Sequence, residues 1–199
     1  MSQPFVSVIA CGGKSRRFGA DKAAHELGGI SLLARVVAIA QGYDAPVALA
    51  GRSKGQATPA DLPLLPDREP GLGPVSALLS AFAFASAQDR RFVLLLGCDQ
   101  PFLPTDLPDR LLAAIGDDCG AAIPVSSGHD QNMAALWRVD EPALQDFFAG
   151  GGRSPWRYAE RVGLTRVPWD ETHGDLFMDI DERSDLAAAE ARLAWQERG

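Results

Sequence analysis

Cysteine is scarce in this 199-residue chain: only Cys11, Cys98 and Cys119, with no C-x-x-C spacing. An odd, unspaced set argues against a disulfide framework or a thiolate zinc site and fits a reducing cytosol. Basic charge is also in deficit. Nineteen Lys and Arg face 26 Asp and Glu, for a formal net charge of −7, which argues against a nucleic-acid backbone or an anionic membrane as partner. No apolar run approaches the roughly 20 residues that span a bilayer. The opening run is broken by glycines and charges from Gly12 onward, too short for a signal h-region, so a cytoplasmic location is expected. His25, His129 and His173 lack metal-ligand spacing, and there is no G-x-S-x-G elbow. Repeats, low-complexity tracts and convincing linkers are absent too. Residues 1–199 are therefore expected to form one domain, with length enough to bury about 70% of the surface exposed on unfolding.

What is present is alternation. Phe5 to Ala10, rich in β-branched residues, reads as a buried strand followed by a glycine loop. Ser31 can cap a helix with apolar positions Leu32, Leu33, Val36, Val37 and Ala40, ended by Gly42. Pro46 to Ala50 and Leu62 to Leu65 read as strands, Pro74 to Phe84 as a helix, and Phe92 to Leu96 as a strand buried on both faces. Thr105 to Ile115 then reads as a helix, Gly120 to Val125 and Met133 to Arg138 as strands, and Pro142 to Phe148 as a helix. After Gly150-Gly151-Gly152 come a short helix from Ser154, strands at Leu164 to Val167 and Leu176 to Ile180, and a final helix from Ser184. This order predicts an α/β fold of three layers, Rossmann-like, with a mostly parallel central sheet, helices on both faces, and a ligand site at the carboxyl ends of the strands.

Three segments carry candidate chemistry. Cys11 to Lys22 leaves the first strand as a glycine-rich turn with basic residues, the composition of a phosphate cradle, yet it matches neither a P-loop nor a G-x-G-x-x-G fingerprint. A solvated glycine turn has the same composition. Asp99 ends the most apolar strand, where it serves equally as a turn former or as the single carboxylate with which Mg²⁺ is held beside substrate phosphates. Asp179 and Asp181, two apart, would share one side of a strand, or are simply an acidic strand end before a helix capped by Ser184. Asp67 opens a loop to Gly73 that can approach a base or ribose or can be turn structure alone. Arg153, Arg157 and Arg161 recur every four residues and would form one basic stripe on a helix, facing an anionic phosphate, a partner protein or only solvent.

Taken together the segments resemble the molybdenum cofactor guanylyltransferases, a nucleotidyltransferase family, from Val8 to about Leu193. Ile9 to Gly19 is similar to the family's L-A-G-G-x-x-x-R-M-G loop, with Lys22 at its downstream lysine. Asp67 with Gly71-Leu72-Gly73-Pro74 resembles the D…G-P-L loop, and Cys98 to Pro104 resembles C-D-x-P-F-L-P. Ala134 to Trp137 and Phe177 to Leu186 resemble the A-L-W strand and the F-x-N-I-N-T-P-E-D-L stretch. Cys11 stands for the usual alanine and Phe18 for methionine, Arg52 follows a second strand that lacks the frequent asparagine, Gln131-Asn132-Met133 lacks a proline, and Asp179 and Asp181 replace asparagines.

The resemblance implies transfer of GMP from GTP to the molybdenum-molybdopterin cofactor, with pyrophosphate released and Mg²⁺ as the metal. It implies that Ala10, Cys11, Gly12, Gly13 and Asp67 contact the nucleotide, that Lys22 neutralises phosphate charge, and that Asp99 holds the metal. Lys22 and Asp99 would be the catalytic pair. Gln131, Asp179, Asp181, Arg153 and Arg157 are the acceptor candidates, so the N-terminal part would bind GTP and the C-terminal part the acceptor. Recipient molybdoenzymes or their chaperones are the implied protein partners. Two alternatives stay open: a molybdopterin cytidylyltransferase or related enzyme with another phosphorylated acceptor, and a non-catalytic nucleotide- or cofactor-binding protein.

Overall fold

Six consecutive buried residues, Phe5–Ala10, form β1. In the computed structural model, which describes residues 3–11, 21–52, 56, 58–59, 61–66, 74–170, 172 and 174–196, a 3-10 turn at Lys22–Ala24 leads into a small hairpin, Glu26–Leu27 (β2) and Ile30–Ser31 (β3). The hairpin turns on Gly28 and Gly29, both at positive φ (58° and 74°), a region that glycine occupies without steric penalty. Ser31 then caps α1, Leu32–Gln41, its hydroxyl accepting from the Ala34 N–H at 3.2 Å.

Val47–Ala50 (β4), Leu64–Leu65 (β5), Pro74–Ala87 (α2), Phe92–Gly97 (β6) and Leu107–Ala114 (α3) complete the first half. Ala121–Ser126 (β7), His129–Asp130 (β8), Ala134–Arg138 (β9), Glu141–Ala149 (α4), Pro155–Val162 (α5), Leu164–Pro168 (β10) and Arg183–Gln196 (α6) follow. The sheet order is β10-β7-β9-β6-β1-β4-β5, with β8 on β7. β1 pairs parallel with β4 and β6, β4 with β5 and β7 with β10, whereas β9 runs antiparallel between β6 and β7. The result is a mixed, mostly parallel sheet.

Period-two geometry sorts the core. Phe5 and Ile9 of β1 and Phe92, Leu94 and Leu96 of β6 face a cluster with Leu33, Val36 and Val37 of α1 and Leu107 and Leu111 of α3. Val6, Val8, Val93 and Leu95 face the other side, against Leu78 and Phe82 of α2, Leu144 of α4 and Tyr158 of α5. Each such aliphatic or aromatic side chain contributes roughly 1.5–3 kcal/mol by leaving water. A third cluster, Leu27, Leu32, Ile180 and Ala189, fastens α6 to the hairpin. No helix among the described residues is long and apolar enough to cross a membrane.

Leu176 to Ile180 is not a strand. The Asp175 carboxylate accepts from the Phe177 N–H at 2.9 Å, an Asx turn that bends the backbone where the apolar alternation suggested extension. Phe177 and Ile180 then enter different clusters. α2 runs three residues past Phe84, α3 begins at Leu107 rather than Thr105, and Glu141 and Arg183 open α4 and α6 one residue ahead of expectation. Arg153 precedes α5, whose N-cap is Ser154, so it is not part of a helical stripe.

Candidate active site

β1 and β6 are adjacent and parallel, with Ala10 opposite Gly97. Their carboxyl ends therefore open at one edge of the sheet. Asp99 lies two residues beyond β6, and a Cβ at Gly97 would meet its Oδ1 at 2.5 Å, so only glycine leaves the carboxylate that position. Lys22 begins the 3-10 turn, which is anchored by buried Ala23 on one side and by Asp21 on the other. The Asp21 carboxylate accepts from Arg52 Nη1 at 2.5 Å, and the Arg52 side chain is only 2% exposed. Lys22 is thereby held where its Nζ donates to Asp99 Oδ2 at 2.5 Å and to Asp181 Oδ1 at 2.6 Å.

The segment carrying Asp181 is tied to the same edge. The Ile180 N–H donates to the Asp99 carbonyl at 3.1 Å while the Ile180 side chain is fully buried, which leaves Asp179 and Asp181 flanking an anchored residue. Asp185 steadies the next step by accepting from the N–H groups of Asp181 and Glu182. It is this tether, and not strand alternation, that brings Asp181 to Lys22.

Charges in the cluster act on one another. Burial works against the Lys22 ammonium, but Asp99 and Asp181 outweigh it and hold the group charged above the usual lysine range. Asp179 is pushed up to about 7 by partial loss of water around its carboxyl, although the residue as a whole stays exposed, and then by the Asp99 and Asp181 carboxylates, with Lys22 opposing. In its protonated form the Asp179 carboxyl offers one donor and acceptors, as an asparagine would. Cys98 is buried beside Cys11, and the neighbouring Cys11 thiol, then burial, raises its pKa well above the ordinary thiol value.

The donor chemistry fits Mg²⁺. Gln100 is 1% exposed, and its Oε1 has no hydrogen-bond partner and lies, like Asp99 Oδ1, against Gly97. A carboxylate oxygen beside an unpaired amide carbonyl is a hard-oxygen pair. Among the described residues no group of three or more His, Cys, Asp or Glu is placed to hold a metal alone. A cation there would need substrate phosphates and water for its remaining ligands, which is how Mg²⁺ is usually bound.

Other candidates are distributed around this centre. The Met133 carbonyl accepts from the Gly97 N–H at 2.7 Å, which brings the Gln131–Met133 segment to the same edge, and the Gln131 N–H donates to the Pro124 carbonyl at 2.8 Å. At Cys11 the backbone N–H is spent on the Ala50 carbonyl at 2.8 Å, and the Ala10 carbonyl accepts from the Cys98 N–H at 3.3 Å. Gly12, Gly13 and Asp67 lie outside the described residues. Arg153, Arg157 and Arg161 line a groove of about 520 Å³ with Phe147, Gly150–Gly152 and Ser154, apart from the lysine cluster. Arg153 donates to the Phe148 and Gly152 carbonyls and stacks on Phe148, and Arg161 pairs with Asp146 at 2.6 Å. Sequence reasoning missed the Arg52–Asp21 brace, the unpaired Gln100 carbonyl and the pairing of Cys11 with Cys98. Only Gln100, next to Asp99 at a strand tip, carried a local signal.

Comparison with known proteins agrees with this geometry. The family described as MobA-like NTP transferase domain matches residues 7–162. The chain is 38% identical over 191 residues to the molybdenum cofactor guanylyltransferase of Rhodobacter capsulatus, covering 94% of this chain and 96% of that one. It is 35% identical to that of Acidiphilium cryptum, covering 93% of each. Among solved structures, molybdopterin-guanine dinucleotide biosynthesis protein A from Archaeoglobus fulgidus superposes with a TM-score of 0.76 at 20% identity, over 95% of this chain and 98% of that one. With the family matched over most of its length and its sheet edge carrying a lysine between carboxylates, the chain belongs to the MobA-like NTP transferases.

Proposed function

We propose that the protein transfers GMP from GTP to the molybdenum-molybdopterin cofactor, forming the guanine dinucleotide cofactor and pyrophosphate. The observation that carries this reading is the Lys22 ammonium gripped by Asp99 and Asp181 at the carboxyl edge of β1 and β6, in a chain whose curated relatives bear the guanylyltransferase name. The cofactor's terminal phosphate attacks the α-phosphorus of GTP and the bond to the β-phosphate oxygen breaks, so no protein nucleophile is required. In this reading Lys22 neutralises charge that builds on the phosphates. Asp99, with Asp181 and the Gln100 carbonyl in reach of the same edge, would hold Mg²⁺. That ion, when bound, screens the triphosphate and favours departure of pyrophosphate.

In this reading Ala10, Cys11, Gly12, Gly13 and Asp67 form the nucleotide side, within a single domain. Gln131, Asp179, Asp181, Arg153 and Arg157 form the acceptor side. Arg52 is a positioning residue, acting on Lys22 through Asp21. Recipient molybdoenzymes or their chaperones would take the product in the cytoplasm. The test is pyrophosphate release from GTP, CTP, UTP and ATP with Mg²⁺ and loaded molybdopterin. GTP-selective release supports the reading. CTP selectivity would move the protein to the cytidylyltransferases, and nucleotide binding without release would make it a carrier.

A further inference from the structure

Cys11 and Cys98 stand side by side at the mouth of the site. Ala10 lies opposite Gly97 on neighbouring parallel strands, so the next residue of each chain segment is also a neighbour, and the Cys98 N–H donates to the Ala10 carbonyl. Adjacent strands run about 4.8 Å apart, within the roughly 4.4–6.8 Å Cα separation that a disulfide bridges. Both side chains belong to the same face of the core, and both are free thiols. Cys11 Sγ donates to the Ile9 carbonyl at 3.5 Å.

Access separates the two. Cys98 is 8% exposed and Cys11 is half-buried, the asymmetry of a thiol that meets an oxidant and a thiol that resolves it. Each also precedes a residue of the proposed machinery, Gly12 in one case and Asp99 in the other. Cys119 is elsewhere, accepting from the Thr165 hydroxyl.

We propose that Cys11 and Cys98 are a redox pair that closes reversibly to a disulfide and thereby weakens nucleotide binding; the second half of this rests on the nucleotidyltransferase reading. The Cys11 thiolate attacks one sulfur of a small-molecule disulfide such as oxidised glutathione, forming a mixed disulfide and expelling one glutathione thiolate. Cys98 passes its proton to the glutathione thiolate already released and attacks the Cys11 sulfur, forming the internal S–S bond and expelling the second glutathione as a thiolate that takes a proton from water. Two protein thiols are oxidised and one glutathione disulfide is reduced to two thiols. Closing the S–S bond fixes both side chains in the narrow geometry a disulfide demands, and the change at Cys98 shifts the adjoining Asp99 from the position in which Lys22 meets it. In a reducing compartment the pair stays open until the disulfide pool rises, which suits a sensor better than a structural bridge.

The experiment treats the purified full chain with oxidised glutathione, counts thiols, maps peptides without reduction, and titrates GTP with Mg²⁺ before treatment, after it, and again after dithiothreitol. The wild type is expected to lose two of its three thiols, to yield a peptide joining Cys11 to Cys98, and to bind GTP at least tenfold more weakly until reduced. Cys119→Ser should respond as the wild type does. Cys98→Ala should stop at the mixed disulfide and retain one glutathione on Cys11. Three surviving thiols, or glutathione retained on wild-type Cys11, would overturn the pair, and cross-linked protein that binds GTP like the reduced form would overturn the switch. Should the reduced protein bind no nucleotide, the functional reading falls, while the thiol count and the cross-link still decide the pair.

Discussion

Lys22 and the arginine groove are both cationic places, yet they are built in opposite ways. The lysine is 13% exposed and reaches carboxylates 77 and 159 residues away in sequence. The arginines are satisfied at short range: Arg153 by carbonyls one and five residues off, Arg161 by Asp146. The first arrangement exists only when β1, β6 and the segment before α6 have all come together, whereas the second needs only α4, α5 and their joint. An incoming phosphate must also compete with Asp99 and Asp181 for Lys22. At Arg157, which makes no ion pair among the described residues, there is no such competitor. A cation held by distant carboxylates couples charge, fold and chemistry, and one held locally contributes attraction alone.

The sharpest way to break this contrast is to remove a member of the distant cluster. Asp99→Asn should lower the rate of pyrophosphate release on the order of 10³-fold, about 4 kcal/mol, and Lys22→Met about 10²–10³-fold, because each takes out preorganised charge at the reacting phosphates. Far-UV circular dichroism should not change for either, since the core clusters of the sheet contain neither residue. A loss below tenfold in both variants would mean that the cluster is only a structural ion pair.

Asp179 tests the coupling of charge to fold. Its pKa of about 7 lies above the ordinary aspartate value of 3.8, so between those pH values the folded protein holds a proton that the unfolded chain has released. Stability therefore falls as pH rises from about 4 to about 7 and is level above that. Asp179→Asn removes this slope. Urea unfolding in the presence of a chelator should show the variant and wild type alike near pH 4 and the variant more stable at pH 8. The gain should be smaller than the shift alone implies, because Asp179 is solvent-exposed as a residue and water screens it. A parallel pH profile for the two proteins would show that Asp179 does not feel its carboxylate neighbours.

The same division explains what sequence reading could reach. Strand and helix identity was legible because it is written locally: the unbroken apolar run of β6, the Ser31 cap, the 3.6-residue period of α1. Lys22 and Asp99 were legible as candidates because each follows a recognisable strand. The contact of Lys22 with Asp181 was not, since nothing in local spacing reports a bond across 159 residues. The stretch from Leu176 to Ile180 shows how this fails in detail. Apolar alternation there is real, but one Asx turn at Asp175 overrides it, and a tether from Ile180 to Asp99, not a strand, holds the segment that carries Asp181 at the site. Asp21 with Arg52 and Cys11 with Cys98 were likewise invisible until β1, β4 and β6 lay next to one another.

The groove should give the smallest effects, and their kind matters more than their size. Arg157→Ala is expected to raise KM for the molybdopterin acceptor about three- to tenfold, on the order of 1 kcal/mol, with kcat and GTP affinity unchanged. Arg161→Ala removes an ion pair whose members are 49% and 73% exposed, and exposed pairs contribute roughly 0–1 kcal/mol. Its thermal midpoint and kinetics should stay close to wild type, and what small effect there is should vanish in high salt. If Arg157→Ala lowered kcat instead, the groove would be acting on the reacting phosphates, and its separation from the Lys22 cluster would no longer describe how the molecule works. Salt dependence then discriminates further: attraction at an exposed arginine is screened, whereas a charge held at 13% exposure between two carboxylates is screened far less.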